Sequence, residues 1–266
     1  MEITEIYDEA FYAQAQDSYK SARNMLPFVN DIFAPQSVID IGCGVGTWLK
    51  AWNDINPQIQ IAGVDGNAVD SKMYFIPRES YKRVDLTTHH TTLLTNIIQH
   101  FNVGGGGTAL TKPFDLAQSL EVAEHLDKAY AKNFIALLAS LSNVILFSAA
   151  IPHQDGTHHI NCQPPSYWAK IFAEYDFECY DILRIRLWDN SAIASWYRQN
   201  ILVFIHKSKA SQFANFTPTP NPAHLMHPDM WEYYIEYLEH ESNRWRRKYN
   251  HTLPKRLERF FKSLRK

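Results

Sequence analysis

A short apolar stretch that ends in closely spaced glycines is the segment of this sequence best suited to binding a ligand. Residues 38–46 are Val-Ile-Asp-Ile-Gly-Cys-Gly-Val-Gly, with an acid, Asp40, two positions before the first glycine. Glycine reaches positive φ at little steric cost, so backbone amides in such a turn approach a ligand closely. A turn of this kind after a strand is typical of sites for nucleotide-like ligands. An ordinary strand-to-helix connection is the alternative, and the residues that follow decide between the two.

Two further acids stand where the next strands of the same sheet would end. The apolar run Ile61–Val64 ends at Asp65, about one βαβ unit after the glycines, and a carboxylate there accepts hydrogen bonds from ribose hydroxyls. Asp85 follows a third apolar run and is placed to meet an adenine amino group. Each aspartate alone is also a common turn residue. A dinucleotide fingerprint would have its third glycine where this chain has Thr47, so the spacing favours S-adenosylmethionine over NAD.

Carboxylates and histidines follow the fourth and fifth predicted strands, where an acceptor molecule would bind. Glu121 and His125 stand at the predicted start of a helix, and either could instead complement the dipole of that helix. His159 lies in the loop after the fifth strand. A neutral imidazole there could take a proton from an acceptor hydroxyl, and a loop-stabilising hydrogen bond is the equal alternative. The imidazoles at 153, 158 and 159 have no recognised ligand spacing, so no metal is predicted.

These residues require a parallel sheet with its loops gathered at one edge. Apolar runs alternate with segments of helical periodicity, and the last apolar run, ending at Ile205, predicts an antiparallel strand. Right-handed crossovers place the cofactor-facing loops at the carboxyl ends of the strands. Residues 7–33 predict one or two helices over the cofactor site, and the glycine run 104–107 predicts a flexible loop. The other strands are predicted near 37–41, 60–64, 81–84, 114–119 and 143–148.

The chain resembles the class I S-adenosylmethionine-dependent methyltransferases in three motifs. These are Asp40–Trp48, Val64-Asp65 and Leu120–His125. The resemblance implies an α/β fold with a Rossmann-like, seven-stranded, mostly parallel sheet, helices on both faces, an N-terminal helical lid and a C-terminal helical extension. The cofactor would be S-adenosylmethionine. The candidate cofactor-binding residues are Asp40, Gly42, Gly44, Gly46, Trp48, Asp65, Gly66, Asp85, Leu86, Ser119 and Leu120.

From Tyr7 to about residue 206 the chain is also similar to a bacterial subgroup found among saccharide and natural-product biosynthesis enzymes. The shared motifs are Phe11-Tyr12, Phe147–Pro152, Gly156-Thr157, His159-x-Asn161-x-Gln163, Tyr167-Trp168 and Trp196–Asn200. The candidate catalytic residues are then His159, His125 and Glu121. Tyr7, Phe11 and Tyr12 either close over the site or pack, and Trp168 is expected in the core. The candidate substrate-binding residues are Tyr7, Tyr12, His153, Asn161, Gln163, Tyr167, Trp196 and Arg198.

Composition limits the classes of protein that this chain can be. A length of 266 residues suits one large α/β core, and a net charge of −2 argues against a nucleic-acid binder. Three cysteines without paired spacing indicate neither a disulfide framework nor a zinc knuckle, and fit a reducing cytoplasm. The apolar runs are too short to cross a bilayer, so no stable membrane insertion is predicted.

The end of the sequence differs in character from the rest. Residues 229–241 combine acids with aromatics, and residues 244–266 contain ten Lys and Arg against the single acid Glu258. Packing on its own domain or on a second copy, a basic arm for an anionic partner, and a membrane-surface helix are the three hypotheses, in that order. The predicted divisions are a cap at 1–33, a methyltransferase domain at 34–207, a linker at 208–222 and a basic helical extension at 223–266, through which a homodimer is possible.

The sequence therefore predicts methyl transfer from S-adenosylmethionine to a small molecule, at a hydroxyl oxygen of a saccharide or natural-product intermediate. One alternative is a carboxyl or N-methyltransferase acting on a peptide or metabolite. The other is a non-catalytic, cofactor-binding accessory protein.

Overall fold

The computed structural model describes residues 15–67, 70–103 and 112–263, and within this part of the chain one seven-stranded sheet forms the centre of the fold. The strand order is β3-β2-β1-β4-β5-β7-β6. The strands are β1 (Ser37–Ile41), β2 (Gln60–Asp65), β3 (Tyr81–Arg83), β4 (Leu116–Leu120), β5 (Val144–Ser148), β6 (Phe177–Tyr180) and β7 (Leu202–His206). The first five pair in parallel, whereas β7 pairs antiparallel with both β5 and β6.

Helices connect the strands and cover the sheet. They are α1 (Ala15–Phe33), α2 (Thr47–Ile55), α3 (His90–Phe101), α4 (Ala131–Leu141), α5 (Pro165–Ala173), α6 (Arg184–Leu187), α7 (Ser195–Asn200) and α8 (Pro228–Ser263). Short 3₁₀ segments lie at Ser71–Met73, Arg78–Ser80, Ala123–His125, Lys128–Tyr130 and Lys207–Phe213. The predicted linker 208–222 thus begins inside a 3₁₀ segment.

Alternate residues of the central strands face opposite sides of the sheet, because successive side chains of a strand point in opposite directions. Ile39 and Ile145 belong to one buried apolar cluster, together with residues of α3, α4 and α5. Their neighbours Val38 and Leu146 belong to a second cluster, with residues of α1, α2, α6 and α7. Strands buried on both faces are typical of a parallel sheet between helical layers. The predicted Rossmann-like fold is confirmed.

Helix α1 lies within the predicted N-terminal cap, 1–33, and packs against α2. Its buried face contains Ala22, Met25, Leu26 and Val29 at helical spacing. Tyr7, Phe11 and Tyr12, predicted as a lid, lie outside the described residues, as does the glycine run 104–107.

The chain forms two compact units, residues 1–225 and 226–266. The second consists mainly of α8, on which Glu241 and Arg244 form an ion pair of 2.9 Å. Trp231 and Trp245 are each more than half exposed on this helix. None of the described helices combines the length and apolar character needed to cross a bilayer.

Candidate active site

The glycine turn between β1 and α2 has a backbone that only glycine adopts easily. Gly42, Gly44 and Gly46 have φ of 84°, 54° and 83°, in the left-handed region. A Cβ on Gly42 would lie 2.4 Å from Cγ2 of Val122, and one on Gly46 would lie 2.7 Å from Cγ1 of Ile76. The conformation and the close packing therefore both require glycine, and the turn is held directly against the segment that follows β4.

Asp65, at the carboxyl end of β2, connects its strand to the glycine turn. Its Oδ2 accepts a hydrogen bond of 2.8 Å from the amide of Gly44, and its Oδ1 accepts one of 2.9 Å from the amide of Asn67. Burial raises the pKa of the Asp65 carboxyl, and the amide donors oppose that rise. Each carboxylate oxygen has two lone pairs, so this side chain retains acceptor capacity for a ligand hydroxyl.

Asp40 lies on β1, two positions before Gly42, and pairs with Gln118 of the neighbouring strand β4. It is 2% exposed, and burial raises the pKa of its carboxyl to about 7, opposed by a hydrogen bond with Gln118. The indole Nε1 of Trp52 donates to Oε1 of Gln118 at 2.9 Å. Asp40 thus belongs to a buried polar layer under the glycine turn.

Glu121 begins the loop after β4 and is held by contacts from three other segments. Its amide donates to the carbonyl of Ser148 at 3.0 Å. Its carboxylate accepts hydrogen bonds from Nδ2 of Asn200 at 3.1 and 3.2 Å, and from Nε2 of Gln154 at 3.2 Å. Burial raises the pKa of this carboxyl to about 7, although the hydrogen bonds favour its charged form.

The helix predicted to start at Glu121 is absent at that position. Glu121 has a φ of 56°, in the left-handed region, and the following turn is the 3₁₀ segment Ala123–His125, with His125 as its last residue. A left-handed residue cannot continue into a right-handed helix. The bend aims Glu121 towards α7 and the Gln154 loop, so the side chain is not a first-turn helix acid.

Two loops bring His125 and His159 together. The carbonyl of Glu124 accepts hydrogen bonds from the amides of Ile160 and Asn161, at 3.0 and 2.9 Å, which fixes the β5 loop to the β4 loop. The two imidazole rings meet edge to face, with centroids 5.0 Å apart. His125 and His159, which are 34 positions apart in the sequence, therefore form one cluster with Glu124.

Backbone carbonyls lie within hydrogen-bond distance of both imidazoles. Nδ1 of His125 lies 3.3 Å from the carbonyl of His158, and Nδ1 of His159 lies 3.0 Å from the carbonyl of Gln154. Because a carbonyl only accepts, Nδ1 of His159 is the protonated nitrogen and its Nε2 has the lone pair. Burial, and then the neighbouring His159, lower the pKa of His125 to about 4. His125 is therefore neutral at pH 7.

Several predicted substrate-binding residues make internal contacts. Asn161 is 2% exposed, and its Nδ2 donates to the carbonyl of Ala123 at 3.3 Å. Gln163 donates to Oδ1 of Asn161 at 3.0 Å. Nη1 of Arg198 donates to the carbonyl of Trp188 at 2.6 Å. These contacts shape the loops, and the predicted roles in substrate binding stay predictions.

The other predicted acceptor contacts lie nearer the surface. His153 is exposed, and Trp196 is 36% exposed at the start of α7. Tyr167 is half-buried, with the ammonium of Lys128 5.3 Å from the centre of its ring. Trp168 is buried against Phe147, as expected.

The remaining predicted cofactor residues divide between buried and exposed positions. Trp48 is buried against Tyr197, with ring centroids 4.9 Å apart. Ser119 is buried, and its hydroxyl donates to the carbonyl of Ile41 at 2.7 Å. Asp85 is exposed, and its Oδ1 accepts from the amide and hydroxyl of Thr87. Gly66 directly follows Asp65, whereas Leu86 and Leu120 are each 8% exposed.

The sequence did not single out Gln154 or Glu124 as site residues, and it included Asn200 only as part of the Trp196–Asn200 motif. Gln154 links Glu121 to α7, because its Oε1 accepts from both Asn200 and Gln199, at 3.0 and 3.2 Å. Asn200 falls within a motif identified by resemblance, which was the available signal. Gln154 had no signal, since a single glutamine between Pro152 and Gly156 is typical of any surface loop.

A cavity lies at the opposite edge of the sheet from the glycine turn. This cavity of about 500 Å³ is lined by residues that include Gln60, His100 and Phe114. Gln60 begins β2 and Phe114 precedes β4, so this cavity opens at the amino ends of the strands. The glycine turn lies at the carboxyl ends, where open α/β sheets bind their ligands.

The sheet order and the glycine turn beside an acid define a Rossmann-like domain built to bind a nucleoside-containing cofactor. A sequence comparison with protein families matches residues 13–182 to the family described as methyltransferase domain. The chain belongs to this family, and the prediction of a methyltransferase is confirmed. No curated protein matches the chain in sequence.

Solved structures similar to this chain include three methyltransferases. The methyltransferase domain of bacterial CtHen1 is 16% identical, with a TM-score of 0.46, covering 70% of this chain and 97% of its own. The plantazolicin methyltransferase BpumL, with SAH and a pentazolic desmethylPZN analog, is 14% identical, with a TM-score of 0.46. The match covers 76% of this chain and 90% of the BpumL chain. Magnesium protoporphyrin IX methyltransferase from Synechocystis PCC 6803, with SAH, is 16% identical, with a TM-score of 0.47 and coverages of 76% and 92%.

Proposed function

We propose that this protein transfers a methyl group from S-adenosylmethionine to a hydroxyl oxygen of a small molecule, a saccharide or natural-product intermediate. Membership of the methyltransferase domain family supports the reaction class. The observation on which the proposal mainly rests is that all these groups lie at the carboxyl ends of neighbouring strands. Asp65 ends β2, the glycine turn follows β1, and the cluster of Glu124, His125 and His159 lies on the loops after β4 and β5. A cofactor held at the turn would therefore lie beside a cluster able to accept a proton.

The residues for the cofactor fit its chemistry. Asp65 offers carboxylate oxygens to the ribose hydroxyls, and the left-handed glycines of the turn let its backbone approach the ligand closely. Thr47 begins α2 directly after the turn, so the positive end of that helix dipole supports a carboxylate group. Bound S-adenosylmethionine supplies a methyl group that is already activated by its sulfonium. The protein's residues then need to position the acceptor and exclude water.

The acceptor determines whether the protein must also remove a proton. A hydroxyl must lose its proton as it attacks, whereas a carboxylate is already ionised. His159 has an Nε2 lone pair, because its Nδ1–H donates to the carbonyl of Gln154. We assign the activation of the acceptor hydroxyl to His159. His125 packs against it edge to face, and the buried amide network of Gln154 and Asn200 holds Glu121 in place on the same loop as His125.

The experiment is transfer of labelled methyl from S-adenosylmethionine to a panel of hydroxyl, carboxyl and amine acceptors. We expect label on a hydroxyl acceptor, and a loss of at least about 100-fold in kcat for His159→Ala, the scale of general acid–base catalysis. A Gly44→Asp variant is the background control. Turnover that His159→Ala barely alters would favour the carboxyl or amine alternative. No label above the Gly44→Asp background would favour the non-catalytic alternative. A cytoplasmic location and a dimer through the C-terminal extension stay predictions.

A further inference from the structure

Three side chains with metal-ligating atoms converge beside the glycine turn. Glu124, His125 and His159 each place one ligand atom within 4.8 Å of the others. Glu124 and His125 come from the loop after β4, and His159 comes from the loop after β5. Val122, in the same β4 loop, packs on Gly42 of the turn, so the cluster adjoins the proposed cofactor site.

The Glu124 carboxylate is fully buried inside the described part of the chain. Its residue is 0% exposed, and neither carboxylate oxygen meets hydrogen-bond geometry with a partner among the described residues. The backbone amides of Glu124 and Ala150 favour its charged form, but a second buried carboxylate, that of Glu121, lies close enough to repel it. The Glu121 carboxylate is held by side-chain amide donors from Asn200 and Gln154, whereas no described side-chain amide donates to that of Glu124. A buried charge in this position requires a cation or a proton.

Both imidazoles are arranged as metal ligands usually are. A metal-bound histidine commonly donates its second ring N–H to a carbonyl, which fixes the tautomer and the ring orientation. His125 and His159 each make this contact through Nδ1, to the carbonyls of His158 and Gln154. Nε2 of His159 is then its ligand atom, and His125 offers one ring nitrogen to the same cluster. Two nitrogens and one carboxylate oxygen suit first-row transition metals and zinc better than calcium or magnesium.

Gly156 leaves space for the His159 ring because it has no side chain. A Cβ on Gly156 would lie 2.3 Å from both Cε1 and Nε2 of this ring. Any larger residue at position 156 would therefore displace the imidazole. The glycine, the Nδ1 contact and the loop anchoring at Glu124 together set the ring beside the carboxylate.

We propose that Glu124, His125 and His159 bind one divalent transition-metal ion, and that this ion activates the acceptor hydroxyl. The inference rests on the proposed methyl transfer to a hydroxyl and gives His159 a different part in it: its Nε2 binds the ion, and water instead of the imidazole takes the proton. Ligand atoms around an ion at about 2.1 Å stand about 3.0–3.4 Å apart, so shifts of about 1 Å assemble the site. Three protein ligands leave coordination positions open for the acceptor.

The chemistry follows from the Lewis acidity of the ion. A hydroxyl oxygen bound to the metal loses its proton to water more readily. The alkoxide then forms a bond to the methyl carbon while the bond from that carbon to sulfur breaks and its electron pair stays on sulfur. The products are the methyl ether, S-adenosylhomocysteine and one proton.

The test is metal binding by the untagged full chain after chelator treatment. Mn²⁺ would be titrated calorimetrically, and Co²⁺ by its visible absorption. We expect the wild type to bind one ion per chain. The variants Glu124→Gln, His125→Asn and His159→Asn should each lower the metal affinity by at least about 100-fold, which exceeds the usual loss when a residue that only supports a metal ligand is changed. His158→Asn is the matched control. It alters an exposed imidazole of the same loop, and asparagine tolerates the left-handed φ of 56° at that position.

Binding that the ligand variants retain, or a wild type that binds no ion, would overturn the metal site. Three separate variants guard against a single one that fails to fold, and thermal unfolding identifies such a case. S-adenosylmethionine titrated into the same samples separates the two proposals. Cofactor binding without metal binding defeats this inference alone, whereas metal binding without cofactor binding defeats the proposed function.

Discussion

Replacing Gly42 with alanine tests whether the glycine turn is required for packing as well as for ligand approach. The new Cβ would lie 2.4 and 2.6 Å from the two Cγ atoms of Val122, and the residue would have to keep a φ of 84°. Left-handed backbone costs a non-glycine residue about 1–2 kcal/mol. Overpacking of a buried contact costs about 1–3 kcal/mol. The free energy of unfolding should therefore fall by about 2–5 kcal/mol.

Thermal unfolding followed by circular dichroism measures this loss. A change of 1 kcal/mol moves the midpoint by about 2–4 °C in a domain of this size, so we expect a decrease of about 5–15 °C. Gly66→Ala is the matched control within the same cofactor edge. A Cβ on Gly66 would meet only the carbonyl oxygen of Val84, at an ordinary 3.5 Å. This control should unfold within about 1 °C of the wild type.

A double variant, Gly42→Ala with Val122→Ala, separates the steric cost from the backbone cost. Removing the valine methyl groups relieves the overlap but leaves the left-handed backbone. The two changes should therefore be less destabilising together than their sum, by about 1–3 kcal/mol. Additive effects, or a Gly42→Ala midpoint equal to that of the wild type, would refute the packing argument.

Two further predictions concern buried charges. Burial raises the pKa of Asp40 from 3.8 to about 7, so the stability that this group contributes falls as pH rises from about 4 to 7 and is constant above. Asp40→Asn should remove up to about 2.7 kcal/mol of the stability difference between pH 5 and pH 8, measured by urea unfolding, and an unchanged difference would contradict this account. Fully buried Arg184 is paired with Asp181 and donates to the carbonyl of Ala223 at 2.8 Å. Asp181→Ala should cost about 3–5 kcal/mol in urea unfolding and Asp181→Leu with Arg184→Met much less, whereas equal costs would argue against the ion pair.

The strands and the glycine turn could be predicted because their signals are local. A left-handed turn is indicated by the glycines at 42, 44 and 46. The apolar runs predict both ends of β1, β2 and β5 to within one residue. The predicted start of β4 lies about two residues before the observed start, because Phe114 is already buried before the strand begins. Local pattern cannot distinguish a buried strand residue from a buried residue that precedes the strand.

The arrangement of the active-site cluster could not be predicted because it depends on contacts between distant loops. The left-handed backbone at Glu121 has no signal in a glutamate, so a helix start was predicted there. The approach of His159 to Glu124 depends on backbone hydrogen bonds from Ile160 and Asn161 to the Glu124 carbonyl. Such contacts are set by tertiary packing and not by residue spacing. The spacing of the histidines in the sequence therefore gave no indication of a cluster that spans two loops.

Calorimetric titration with S-adenosylmethionine tests the central claim most directly. We expect the wild type to bind the cofactor and Asp65→Ala to lose at least about tenfold in affinity, the worth of about one charge-assisted hydrogen bond. Asp115→Ala is the matched control. The Asp115 carboxylate likewise accepts two backbone amides, those of Gln36 and Ser37, at the opposite edge of the sheet. Binding by the wild type and Asp115→Ala but not by Asp65→Ala would support the cofactor site. No binding to the wild type, or equal binding by all three proteins, would contradict it.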